Sequence, residues 1–244
     1  MEKVIVKNVI FDLYGTLLDI HTDEDQLDLW AKMVHFYGMS GAFYTAETLR
    51  EQYQREVSIR FQHEEGDIEI LEVFDALFKQ KDVVVSQEKL IETARLFRIL
   101  SLEYVKPYPH ALDLLKVLRS RGYKVILLSN AQRAFTMDEL KVTDLLDRFD
   151  HVYLSSDYKV AKPSKVFYQT MLEKEGLSAE ACIFIGNDHR TDIEGANRIG
   201  MYSIYLHTNC SPQEVPEEIG CTFRVDSGNL KEIIDLFDTH IQYG

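Results

Sequence analysis

The chain has 244 residues, 45% hydrophobic and 27% charged, a composition that supports a packed core and excludes a disordered or low-complexity protein. Its formal net charge is −13 and no window is dense in Lys and Arg, so nucleic acid and anionic membranes are excluded as expected partners. The same field repels an anionic substrate, which must then meet a local cation at its site.

Val4 to Leu13, rich in Val and Ile and ending at Gly15, reads as a strand buried on both faces of a parallel sheet. Lys7, Asn8 and Asp12 interrupt its apolar residues, so it is neither a signal segment nor a spanning helix, and no later run has the length of a membrane span. From Asp19 to Val105 apolar residues fall at three- and four-residue spacing, as in Leu27, Trp30, Val34 and Phe36, or Leu90, Ala94, Phe97 and Leu100. Ala46–Ile59 and Asp67–Phe78 add two more predicted helices, so this stretch is expected to be an all-helical insertion with the aromatic stripe as its core. The acidic run from His63 to Glu72 is expected to be a solvated face. Pro107 and Pro109 mark the return to the sheet.

Beyond them, strand-like runs at Lys124–Leu128, Val152–Leu154, Ala181–Ile185 and Tyr202–Leu206, and a weaker one at Cys221–Val225, alternate with helical segments. The helices are Ala111–Arg121, Phe167–Glu175 and Ile193–Ile199, stopped at or followed by Gly122, Gly176 and Gly200. Strand, helix, strand is the α/β pattern. The domain expectation is a core of residues 1–18 and 106–244 carrying a cap of residues 19–105. Cys182, Cys210 and Cys221 show no CxxC spacing and fit reduced thiols in a cytoplasmic protein.

In an open α/β sheet ligands sit beyond the C-terminal strand ends, which makes those ends the candidate site. The first strand ends in Asp12-Leu13-Tyr14-Gly15-Thr16 and the second in Ser129-Asn130. The turn after Val152–Ser155 leads to Lys162-Pro163, and a later strand ends in the acidic segment Gly186 to Asp192. A strand-end carboxylate can attack phosphorus or carbon and form an ester, splitting one displacement into two. Asp188 and Asp192, four apart, share a face if a helix begins near Asp188, and with Asp12 they could hold a hard cation such as Mg²⁺. Lys162 would neutralise the nucleophile while the Ser129 hydroxyl and neighbouring N–H groups bind the transferring group.

This order of motifs resembles the haloacid dehalogenase superfamily of hydrolases. Phe11 to Leu17 looks like its nucleophile motif, Leu128-Ser129-Asn130 its second, Lys162-Pro163 its third and Gly186 to Asp192 its acidic fourth. Lys106-Pro107-Tyr108-Pro109 is similar to the return from a helical cap inserted after the first motif. The resemblance implies a Rossmann-like parallel-sheet core under a mobile four-helix lid, an Asp12 nucleophile, and a metal site at Asp12, Asp188, Asp192 and the Tyr14 carbonyl. It implies a Mg²⁺-dependent phosphatase acting on a small anionic metabolite through an aspartyl phosphate.

One position departs from that pattern. Where phosphatases carry a second Asp two residues after the nucleophile, this chain has Tyr14, and a phenol of pKa near ~10 cannot replace a carboxylate as base. Tyr there is similar to the metal-free 2-haloacid dehalogenases, the alternative reading, whereas the acidic pair argues for metal. A weakly active phosphate-binding member is a third reading. Arg50, Arg55 and Arg60, with His21 and Lys32, are candidate cap contacts to substrate. A monomer or homodimer is expected.

Overall fold

A computed structural model describes residues 3–61 and 65–244. The chain opens with β1 (Val4–Val6) and β2 (Asn8–Phe11), then β3 (Leu18–Thr22). Four helices follow, α1 (Leu27–Met39), α2 (Ala46–Arg60), α3 (Ile70–Lys79) and α4 (Gln87–Ser101), before β4 (Leu102–Pro107). The rest alternates: α5 (Ala111–Ser120), β5 (Lys124–Ser129), α6 (Arg133–Val142), β6 (His151–Leu154), α7 (Ser155–Tyr158), α8 (Lys165–Glu175), β7 (Cys182–Gly186). It closes with α9 (Glu194–Arg198), β8 (Tyr202–Leu206), β9 (Phe223–Val225), α10 (Leu230–Thr239) and β10 (Ile241–Tyr243).

Six strands form one parallel sheet in the order β6-β5-β2-β7-β8-β9. Its strands are apolar at nearly every position because helices cover both faces. Val9, Phe11, Val125, Leu127, Ile183 and Ile185 join one cluster with α5 and α10, while Ile10, Ile126, Leu128 and Phe184 join another with Phe167, Tyr168 and Met171 of α8. The first strand is broken at Lys7: β1 pairs with β10 outside the main sheet, and only β2 enters it. The insertion has its own core. Trp30, Tyr37, Tyr53, Phe74, Phe78 and Phe97 fill it, with Tyr37 stacked on Phe78 at 4.3 Å, as the helical spacing predicts.

The insertion is not all-helical. Leu18–Thr22 and Leu102–Pro107 pair antiparallel, Leu18 opposite Pro107, as a stem joining the helices to the sheet. The two halves lie about eighty residues apart, so local periodicity carries no trace of the pairing. Nor is the acidic run a solvated face over its described part; His63 and Glu64 lie outside the described residues. Gly66 bridges Val160, the Ala161 N–H donates to the Glu65 carbonyl at 2.9 Å, and Ile68 is buried. Asp67 accepts from Ser155 Oγ, whose oxygen accepts from the Ala131 N–H at 2.8 Å, and Gln132 binds the Ile70 N–H and the Ile68 carbonyl at 2.9 Å each. The acidic composition is offset by backbone pairing that a charge count does not show.

Burial raises the Asp67 carboxyl above its ordinary pKa, against the lowering effect of the Ser155 and Ile68 hydrogen bonds. A carboxyl raised on folding contributes stability present below its unfolded pKa and lost as pH rises through the folded one. Asp67→Asn removes that charge, so its melting temperature relative to wild type is expected to be higher at pH 7.5 than at pH 4.5. Parallel melts at the two pH values check this, and a difference of opposite sign rejects it.

Candidate active site

Asp12 follows β2 at the centre of the sheet, its N–H donating to the Ile185 carbonyl at 3.0 Å, so it stands between the ends of β5 and β7. Its Oδ1 accepts from Ser129 Oγ at 2.9 Å and from Lys162 Nζ at 2.6 Å, and its Oδ2 from Thr16 Oγ1 at 3.2 Å. Lys162 is 3% exposed and also donates to Asp192 Oδ1 at 2.7 Å. Burial alone lowers the pKa of this ammonium, but Asp12 and Asp192 outweigh it and hold it above the ordinary lysine range. The expected local cation is therefore present beside Asp12.

Asn130 acts through the backbone. Its side chain accepts from the Lys162 N–H at 2.7 Å and donates to the Lys162 carbonyl at 3.0 Å, locking the lysine loop to the end of β5. Two glycines are sterically required. A Cβ on Gly15, at φ +84°, would lie 2.3 Å from the Asn187 side chain, and one on Gly186 would lie 2.3 Å from Asp192 Oδ2.

The acidic segment differs from the sequence expectation. His189–Ile193 forms a π turn with Asp188 as its N-cap, not a helix carrying Asp188 on its face. Asp188 therefore folds back on its own turn: Oδ1 accepts from the Arg190 N–H at 2.9 Å and Nε at 3.0 Å, and Oδ2 from Nη2 at 2.8 Å. Burial raises its pKa, but the Arg190 bonds prevail and lower it. Asp192 Oδ2 accepts from the Asp188 N–H at 3.0 Å. Burial first, then Asp12, pushes the Asp192 carboxyl up to about 6 against the pull of Lys162.

The expected metal set of Asp12, Tyr14, Asp188 and Asp192 is thus not assembled around a common point. Lys162 stands between Asp12 and Asp192, Arg190 covers Asp188, and among the described residues no group of three His, Cys, Asp or Glu could hold a metal ion. As placed, these residues do not fit the Mg²⁺ cradle implied by their spacing.

Tyr14 lines the cleft but commits its hydroxyl to α6, donating it to Glu139 Oε2 and lying 2.9 Å from Thr136 Oγ1. Burial, then the Glu139 charge, raises the phenol far above its ordinary pKa, so it remains a neutral donor. The cleft, about 210 Å³, is lined by polar side chains, Ser129, Asn130, Lys162, Asn187, Asp188 and Thr191, around Asp12, together with Tyr14 and Cys210, and it exposes polar and apolar surface in nearly equal measure. His21, Lys32, Arg50, Arg55 and Arg60 do not line it; Lys32 pairs with Asp28 and Arg50 with Asp25. Thr16 and Asn187, bonded to each other at 3.1 Å, lie inside motifs legible in the sequence. Glu139 and Arg98, which complete the Tyr14 environment, carry no such local signal.

Among the described helices none is long and apolar enough to cross a membrane. Residues 6–200 match the haloacid dehalogenase-like hydrolase family. The chain is 26% identical over 240 residues to (S)-2-haloacid dehalogenase of Pseudomonas sp. (strain YL), covering 96% of this chain and 95% of that one. It is 31% identical over 139 residues to pyrimidine 5'-nucleotidase YjjG of Escherichia coli (strain K12), covering 57% and 60%. A HAD phosphatase from Thermococcus onnurineus has a similar fold, with TM-score 0.61, 21% identity and coverage of 94% and 97%. With Asp12, Lys162 and Asp192 converging at the sheet edge, the match over residues 6–200 places this chain in the haloacid dehalogenase-like hydrolases.

Proposed function

We propose that the chain is a phosphohydrolase that transfers a phosphoryl group to Asp12 from small anionic substrates whose leaving group departs without a proton. The observation that carries this reading is a lysine-held Asp12 beside a Tyr14 whose hydroxyl is committed to Glu139. Asp12 attacks phosphorus, and the phosphorus–oxygen bond breaks with its electron pair leaving on an aryl or acyl oxygen. Water then attacks the aspartyl phosphate and releases inorganic phosphate. Lys162 and Ser129 offset charge as it develops on the phosphoryl oxygens, and both donate to the same Asp12 oxygen.

A second reading, displacement of halide from a 2-haloacid, is favoured by Tyr14 and by the dehalogenase relative that spans nearly the whole chain. Asp12 then attacks carbon, halide leaves with the bonding pair, and water opens the ester to a 2-hydroxy acid. Phosphate release from p-nitrophenyl phosphate, with and without Mg²⁺, and chloride release from 2-chloropropionate separate the two. Phosphate release is expected. Chloride release alone overturns the phosphatase reading, and neither product leaves a phosphate-binding protein. Tyr14→Asp restores a carboxylate acid–base, and turnover of an alkyl phosphate is expected to rise about 10²-fold. An unchanged rate removes that role from position 14.

A further inference from the structure

Three side chains from separate elements meet behind the cleft: Tyr14 from the turn after β2, Glu139 from α6 and Arg98 from α4. Arg98 Nε donates to Glu139 Oε1 at 2.5 Å while Tyr14 occupies Oε2, so the carboxylate cannot swing without losing one partner. The guanidinium also stands 5.8 Å from the Tyr14 ring centre and 5.2 Å from that of Phe135. The ion pair is buried, its side chains 14% and 6% exposed, whereas Arg95, one turn before Arg98, and Asp138, next to Glu139, are 53% and 41% exposed. A buried pair bears a desolvation cost that apolar side chains of similar volume avoid, so holding two helices together does not by itself account for it. Behind Tyr14 the turn is tight: the Leu17 and Leu18 N–H groups both donate to the Leu13 carbonyl, at 2.8 and 2.9 Å, next to Asp12.

We propose that Arg98 and Glu139 are positioning residues for the Asp12 site: the guanidinium on α4 fixes the Glu139 carboxylate, and the carboxylate fixes Tyr14 along the cleft wall. The cleft therefore takes its working shape only when α4 is seated on α6. For turnover this inference rests on the reading of Asp12 given above; for geometry it does not.

Hydrogen exchange of the full chain tests it, comparing wild type with Arg98→Met, Glu139→Gln and the control Arg95→Met. The first two are expected to speed exchange of the Leu13–Leu18 turn about tenfold, and the control to leave it unchanged. Faster exchange confined to α4 and α6 reduces the pair to a structural seam and overturns the proposal. If Arg98→Met does not fold, Arg98→Lys keeps the charge but loses the planar guanidinium and makes the same comparison. On whichever substrate turns over, both variants are expected to lower kcat about tenfold with KM nearly unchanged, and to lose this effect in a Tyr14→Phe background. Losses that simply add in that background also overturn it. If no substrate turns over, the reading of Asp12 fails while the exchange comparison still decides this one.

Discussion

Asp12→Asn is expected to lower turnover by about 10⁵-fold or more, because the amide keeps the shape of the side chain and removes its nucleophilic oxygen. The melting temperature is expected to stay within about 3 °C of wild type. Stability survives because the buried site holds two carboxylates for one ammonium: without Asp12, Lys162 keeps Asp192 at 2.7 Å. Asp12 is also one of the causes raising the Asp192 carboxyl to about 6, so its removal relieves repulsion there. Product release and thermal melts on the same preparation check both parts. Retained turnover ends the assignment of Asp12 as nucleophile.

Lys162→Met is expected to act in the opposite way, costing both activity and fold. The substitution leaves Asp12 and Asp192 buried without their shared cation, 7% and 1% exposed. Removing one partner of a buried ion pair costs about 3–5 kcal/mol, which in a chain of this size lowers the melting temperature by about 10 °C. Loss of the charge facing the transferring group costs about 10³-fold in kcat. The melting loss is expected to shrink as pH falls, because protonation of Asp192 then removes the unpaired charge. A variant as stable as wild type at neutral pH contradicts the charge balance described for the site.

Asp12, Ser129, Lys162 and Asp192 were legible in the sequence because each ends or follows a strand whose apolar run announces it, and parallel strands bring their C-terminal ends to one edge. The aromatic stripe of the insertion was legible for a similar reason, since helical spacing fixes which side chains share a face. Asp188 was misplaced because spacing gives a position on a turn, not the choice a capping Asp makes between its neighbours and its own backbone; here Arg190 and the Arg190 N–H hold it.

Local patterns thus determined the α/β class, the helical insertion and the placement of Asp12 and Lys162 at the sheet edge, since each depends on residues near one another or on strand ends that a parallel sheet must gather. Tertiary structure alone decided the β3–β4 stem, the docking of Asp67 on Ser155, and the partnership of Tyr14 with Glu139 and Arg98. Those contacts join residues roughly 80 or more positions apart, or 41 and 125 in the case of Glu139, and their energies depend on burial and on which partner arrives first in space. No local periodicity encodes either quantity.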